Sequence, residues 1–266
     1  MNLQIDTLAY TNRLRRLPPE HKLLFALTLL LITYFSSIPI QLLITLWLSI
    51  WITVYAGISV SVYLRLISVP ASFWLTSLPA LVISVIPMHD LAATVDVWHG
   101  ITLSGYYVYL SHQGIAQAGR LFAQAIASTS CLYFILLTVP FTEILQTLRS
   151  LRFPALLTEL LLLMYRFIFV LLQIADELWT AQQVRGGYRT WRISMKSLGL
   201  LVGQLLRRTL ENYRQVSVSL DSRGYTGEFR VWHSRKCHSS KRYSLEGVIG
   251  CIALIALAGW THANGI

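Results

Sequence analysis

The sequence predicts an all-α polytopic membrane protein, with about five transmembrane helices and, beside them, long helices that stay on the cytoplasmic side. Hydrophobic residues make up 55% and charged residues 13% of the 266, a balance too apolar for a water-soluble domain. The apolar residues fall in runs long enough to cross hydrocarbon. The lysines and arginines gather in a few segments, as in cytoplasmic loops, so the net charge of +10 speaks for membrane topology rather than for nucleic acid. Three cysteines, Cys131, Cys237 and Cys251, fit neither a disulfide framework nor a zinc site.

Arg13, Arg15, Arg16 and Lys22 precede the first apolar run, and no small-x-small cleavage pattern follows it. This gives an uncleaved first span over 22–37 with the N-terminus cytoplasmic. Ser36 and Ser37 turn the chain into a second span over 39–57, opened by Pro39. Residues 57–70, less apolar and holding Arg65, read as an inner loop. A third span over 69–87 contains Pro70, Pro79 and Pro87, tolerated where neighbours or water satisfy the freed carbonyls. Residues 88–111, with Asp90 and Asp96 but no Lys or Arg, form an outer loop. The fourth span, 112–138, carries Gly119, Ala123, Ala127 and Ser128, small enough for close helix approach. These four spans constitute a membrane domain over 1–139.

Residues 140–230 read as cytoplasmic and interfacial helices. After Pro140, Phe141, Ile144, Leu145, Leu148 and Leu151 recur at helical spacing opposite Glu143, Arg149 and Arg152, a short amphipathic helix on the inner surface. Residues 155–179 are apolar enough to span, but spanning would put thirteen cations between Arg185 and Arg242 outside, against the positive-inside tendency. Glu159, Arg166, Asp176 and Glu177 also interrupt the run. The helix is therefore placed at the inner interface, packed on another protein helix, with a sixth span as the alternative. Residues 191–221 form one amphipathic helix about 45 Å long at ~1.5 Å per residue, with Leu198, Val202, Leu205, Thr209, Tyr213, Val216 and Leu220 as its apolar stripe. Residues 231–266 are a basic linker and a last short span near 245–260, which leaves the C-terminus outside.

Each of the two long helices ends in an Arg-Gly pair, Arg185-Gly186 and Arg223-Gly224. Such a pair is first of all a helix stop: glycine takes the left-handed cap conformation and arginine favours the negative end of the dipole. Its recurrence on two basic helices puts two guanidinium groups at exposed helix ends, suited to acidic groups or carbonyls in a partner's groove.

With these pairs in view, the chain resembles the transmembrane T component of energy-coupling factor (ECF) transporters. In that family two coupling helices end in Ala-Arg-Gly or Ala-Arg-Ser, each seated in a groove of one ATPase. The matching triplets here are Val184-Arg185-Gly186 and Ser222-Arg223-Gly224, both without the alanine. The similarity extends from Ile5-Asp6 and Leu8-Ala9-Tyr10 through Lys22, Pro140, Pro154 and Tyr165-Arg166-Phe167 to Gly224-Tyr225, and the N-terminal stretch looks most like the cobalt-importer CbiQ type, with the nickel version a close relative. The resemblance implies two ABC ATPase subunits, which carry the ATP and magnesium, a cobalt-type substrate-capture membrane subunit, and often a small accessory membrane protein. It implies no cofactor on this chain and a mechanical role in a bacterial inner membrane: ATP binding draws the ends at Arg185 and Arg223 together, and the 155–179 face passes the movement on. Glu159, Arg166 and Asp176 are candidates for helix-crossing or partner contacts.

Chemistry of its own is hard to find. No phosphate-binding G-x-x-x-x-G-K-[ST] loop, H-E-x-x-H helix or G-x-S-x-G elbow occurs. His89, Asp90, Asp96 and His99, and likewise His233, Cys237 and His238, are ligand types scattered over polar segments and read as solvated, so no metal site is assigned. Two other classes stay open: a T component shared among vitamin-capturing proteins, and a membrane enzyme acting on lipid or prenyl substrates, for which Asp176-Glu177 is the lone adjacent acidic pair.

Overall fold

Prolines and serines set the helix boundaries in the first third of the chain. The computed structural model describes residues 4–87, 97–103, 106–224 and 241–263. A short helix α1 (Gln4–Thr11) and one 3-10 turn (Arg13–Arg16) lead to α2 (Pro19–Phe35), which opens on Pro19 at its first turn, where no amide donor is needed. Ser36 and Ser37 end it, and α3 (Ile38–Ile50) follows, its last turn continuing as a π-helical turn (Trp51–Tyr55). Gln41, 1% exposed, stitches this corner by donating to the carbonyls of Thr33 and Ser36 at 3.1 and 3.0 Å.

Helix α4 (Val60–Val82) starts nearly three turns before Pro70, so Arg65 stands inside a helix and not in the expected loop. A proline within a helix frees the carbonyl four residues earlier. For Pro70 that carbonyl is Leu66, and the Tyr133 hydroxyl donates to it at 3.0 Å. The neighbour that makes Pro70 tolerable is thus identified, and the helix runs through it. A second tie between the same helices is Trp74 Nε1 to the Ala118 carbonyl, 3.0 Å. Tyr63, 3% exposed, joins three helices through hydrogen bonds to Ser49 (3.0 Å) and Ser130 (3.1 Å).

The region after α4 departs from the expected polar loop. The third span stops at Val82, and β1 (Ile83–Pro87), β2 (Val97–Leu103) and β3 (Tyr106–Ser111) form an antiparallel sheet in the order β1-β3-β2. Ile83 pairs with Leu110, Leu103 with Tyr106, and a bulge interrupts β2 between Val97 and Gly100. The strands are rich in β-branched and aromatic residues, which suit a pleated surface. His89, Asp90 and Asp96 lie outside the described residues, as does the side chain of His99.

Helix α5 (His112–Thr138) is the centre of the membrane part. Ala118, Ala123, Ala127, Ser130, Cys131, Phe134 and Leu137 on it are 2% exposed or less, and α1 to α4 all pack on it. Ala123 and Ala127 serve the close approach the sequence suggests, but Gly119 faces open space. At its end Asn12 Nδ2 donates to the carbonyls of Leu137 and Thr138 (3.2 and 3.3 Å), and Lys22 Nζ to Thr138 (3.2 Å). A cation and an amide thus satisfy carbonyls the helix leaves open, at the negative end of its dipole.

Beyond Pro140 come α6 (Phe141–Ser150), α7 (Ala155–Val184), α8 (Trp191–Ser222) and finally α9 (Lys241–Ala263). The chain divides into two compact units, one of residues 1–143 with 235–266 and one of 144–234. Among the described residues four helical stretches are long and apolar enough to cross a membrane, Ile38–Tyr55, Val60–Val82, Gln113–Thr138 and Leu156–Val184, and Leu245–Thr261 is a shorter apolar helix. The protein is an all-α polytopic membrane protein with a small sheet added between α4 and α5.

Candidate functional site: the ends of two long helices

The unit of residues 144–234 is built on the hairpin of α7 and α8. Both helices stop in the same way. Arg185 (φ −82°, ψ 7°) is followed by Gly186 at φ 72°, and Arg223 (φ −93°, ψ 7°) by Gly224 at φ 67°. Positive φ is what glycine adopts without a Cβ penalty. A Cβ at either glycine would meet nothing within 4 Å, so conformation and not space calls for glycine there. At the first stop the Gly186 amide donates to Gln183 (3.0 Å) and the Gly187 amide to Gln182 (2.9 Å), the paired bonds of a Schellman motif. At the second, Gly224 donates to Asp221 (3.1 Å), the corresponding inner bond. Tyr225, with His233, Cys237 and His238, lies outside the described residues.

The triplet side chains are free to meet another protein. Val184 is 83% exposed, an isolated apolar group at a helix end. Arg185, Gly186, Ser222, Arg223 and Gly224 are exposed as well. The Ser222 hydroxyl donates to the Ser219 carbonyl at 2.9 Å, which ties it to its own last turn. A third helix, α6, ends with Arg152 itself at φ 63° and with the same bond pattern, Arg152 to Arg149 (3.1 Å) and Phe153 to Leu148 (3.2 Å). Among the described residues Gly57 (φ 73°), after Ala56 at the end of the π-helical turn, is a further left-handed glycine, but only the two long helices put an arginine before it.

Three features that hold the hairpin were not anticipated. Gly187 lies against α8: a Cβ there would stand 2.6 Å from Ser197 Oγ and 2.9 Å from the Gln182 carbonyl oxygen. Trp179 stacks on Tyr188, ring centroids 4.2 Å apart. Glu177 pairs with Arg208 at 3.3 Å, both about half exposed, a contact worth about 0–1 kcal/mol. Of the candidate contact residues on α7, Arg166 and Asp176 are exposed and in no ion pair among the described residues, while Glu159 is half-buried. The doubled glycine after Arg185 was the available signal for the tight crossing. Gly187→Ala is expected to destabilise the hairpin by about 1–3 kcal/mol, read as a lower melting temperature in detergent. Adding Ser197→Ala should restore only part of it, because the Gln182 carbonyl stays in place.

The face α8 turns to α7 is rotated from the predicted stripe. Ser194, Ser197, Leu201, Leu205, Thr209, Asn212, Val216, Ser217 and Leu220 are the shielded positions, so Leu205, Thr209, Val216 and Leu220 of the predicted stripe hold, whereas Leu198, Val202 and Tyr213 are 46%, 55% and 58% exposed. The apolar arc of α8 is wider than one neighbour covers, and the close approach at Gly187 and Ser197 fixes which edge is used. A second uncovered apolar row, Leu156, Leu160, Met164, Ile168 and Leu172, steps along α7 at four-residue intervals, all 40% exposed or more. Among the described residues no cluster of three or more His, Cys, Asp or Glu is placed to hold a metal ion.

Comparison with known proteins points in one direction. Residues 11–232 match the family model for the cobalt transport protein CbiQ. An uncharacterized protein of Methanocaldococcus jannaschii is 30% identical over 255 residues, 96% of this chain and 92% of its own length. The cobalt transport protein CbiQ of Salmonella typhimurium is 28% identical over 232 residues, 85% of this chain and 99% of that protein. A putative fused cobalt transport protein, CbiMQ, of Methanocorpusculum labreanum is 29% identical over 224 residues, 84% of this chain and 36% of the fusion.

Proposed function

The chain belongs to the CbiQ family of cobalt transport proteins, and from that premise we propose that it is the coupling subunit of an ECF-type importer that takes up cobalt(II). It is a membrane component of cobalt transport. The observation that carries the reading is the pair of like helix ends, Arg185-Gly186 and Arg223-Gly224, each with an exposed arginine directly before a glycine stop. Two equal ends fit two equal acceptors, and a homodimer of ABC ATPases offers them. An arginine at a helix terminus presents a planar fork of donors to carboxylates or carbonyls.

The ATPases hold the ATP and magnesium, and this chain performs no chemistry and binds no cofactor. ATP-driven closure moves the seated ends, and the hairpin transmits the movement through the uncovered apolar rows of α7 and α8 to a capture subunit in the membrane. Arg166 and Asp176, exposed on α7, face that partner or a lipid headgroup. The fused relative, named as a CbiMQ protein, supports a second membrane subunit as close neighbour. The subunit lies in the bacterial plasma membrane with its N-terminus in the cytoplasm, the side to which the cations of α7 and α8 also belong.

Expressed with its genomic neighbours and purified in mild detergent, the chain is expected to bring down two copies of an ATPase and a membrane capture subunit. Cells carrying the set should accumulate radioactive cobalt in preference to nickel or to a vitamin. Purification without any ATPase overturns the coupling role; vitamin uptake without cobalt uptake overturns the substrate.

A further inference from the structure

The two glycine stops are alike in backbone, but the side chains around them are not. The loop that joins α7 to α8, residues 185–190, is held from inside the hairpin. Tyr188 stacks on Trp179, ring centroids 4.2 Å apart, and Gly187 is buried against Ser197. The Gly187 amide donates to the Gln182 carbonyl at 2.9 Å, and the Ser194 amide to the Thr190 carbonyl at 2.8 Å where α8 begins. A loop fixed in this way loses little freedom when a partner covers it.

What this end displays is apolar and positive. Trp191, the first residue of α8, is 79% exposed, and among the described residues its indole meets no other ring and makes no hydrogen bond. Val184 borders the loop on its other side. Arg185, Arg189 and Arg192 are exposed and in no ion pair among the described residues. The second stop presents less: Asp221 stands two residues before Arg223, the Ser222 hydroxyl is turned back onto its own helix, and residues 219–224 hold no aromatic ring. The 32 residues of α8 keep the two displays about 48 Å apart at ~1.5 Å per residue, so each meets a different ATPase copy.

Resting on the coupling role stated above, we infer that the Trp191 end is the primary ATPase anchor, with the indole seated in an apolar pocket rimmed by carboxylates beside the seat of Arg185. Tryptophan and arginine are the residues that carry most energy at interface centres, and three unpaired cations complement an acidic rim. Lipid headgroups also accept tryptophan and arginine, but Thr180, Gln182 and Gln183 before the loop and Lys196 and Ser197 after it are too polar to follow them toward hydrocarbon. The two ATPase copies of a homodimer are identical, so unlike ends give unlike affinities. The copies therefore load in order, first at Trp191 and then at Arg223.

The test is photo-crosslinking from each end, with p-benzoylphenylalanine placed at Thr190, whose side chain caps nothing, or at Val218, 67% exposed near the second stop. The transporter's membrane part, purified without ATPase, receives one ATPase per complex in the absence of nucleotide. Position 190 is expected to capture about thirtyfold more ATPase than position 218, the factor that one tryptophan hot spot supplies. Trp191→Ala is expected to bring the two close to equality and to keep the melting temperature, because the side chain is exposed. Equal capture with Trp191 in place, an unchanged ratio in Trp191→Ala, or capture of lipid or of another membrane subunit from position 190 overturns the anchor and leaves the coupling role standing. Capture at neither position, with no ATPase retained, removes the coupling role and the anchor with it. The ratio with Trp191 in place decides even if the alanine variant fails to assemble.

Discussion

Reversing both arginines, Arg185→Glu with Arg223→Glu, is expected to abolish association with the ATPases and cobalt uptake together, while the chain stays folded in the membrane. Truncating one partner of a buried, hydrogen-bonded charge pair at an interface costs about 2–5 kcal/mol, and reversal adds repulsion at two sites. Either single reversal should weaken association by about thirtyfold or more, at ~1.4 kcal/mol per factor of ten. Arg→Lys should be intermediate, because an ammonium keeps the charge without the planar fork. The fold should register little. Both side chains are exposed, and a carboxylate near a helix C-terminus costs about 0.3–1 kcal/mol. Unchanged copurification of the ATPases with the double variant, measured by quantitative mass spectrometry, removes the arginines from the coupling mechanism.

How much of this was legible in the sequence depends on where each signal lies. The bounds of α5 are marked locally, by Ser111, whose side chain caps the helix by accepting from the Gly114 amide, and by Pro140, and the structure keeps them at His112–Thr138. The glycine stops were legible for the same reason, because the left-handed conformation at Gly186 and Gly224 is a property of two or three consecutive residues. The start of α4 was not, because whether Pro70 ends a helix depends on the Leu66 carbonyl finding the hydroxyl of Tyr133, 67 residues further along the chain. The sheet was hidden likewise: Ile83 finds its partner at Leu110, and nothing near either residue announces the pairing. On α8 the apolar periodicity was visible but its arc was too wide to name the seam. Gly187 and Ser197, two small residues, settle that, and hydrophobicity does not see them.

The docking of α9 onto α3 rests on a missing side chain, and a double-mutant cycle should expose it. A Cβ at Gly250 would collide with the Trp47 indole, which also packs edge-on against Phe25 at 5.3 Å and Trp51 at 6.4 Å. Alanine at position 250 gains up to ~1 kcal/mol of helix propensity and offsets part of the clash, so the larger Gly250→Leu is the sharper probe. It is expected to destabilise by about 1–3 kcal/mol or more, the range for overpacking. Trp47→Ala alone leaves a hole and should cost about 3–5 kcal/mol. Combined, the leucine enters the volume the indole vacates, so the double variant should be more stable than the sum of the singles by about 0.5–3 kcal/mol. Melting curves of the four proteins in one detergent measure the coupling. Strict additivity means that α9 does not rest on Trp47 in the folded protein.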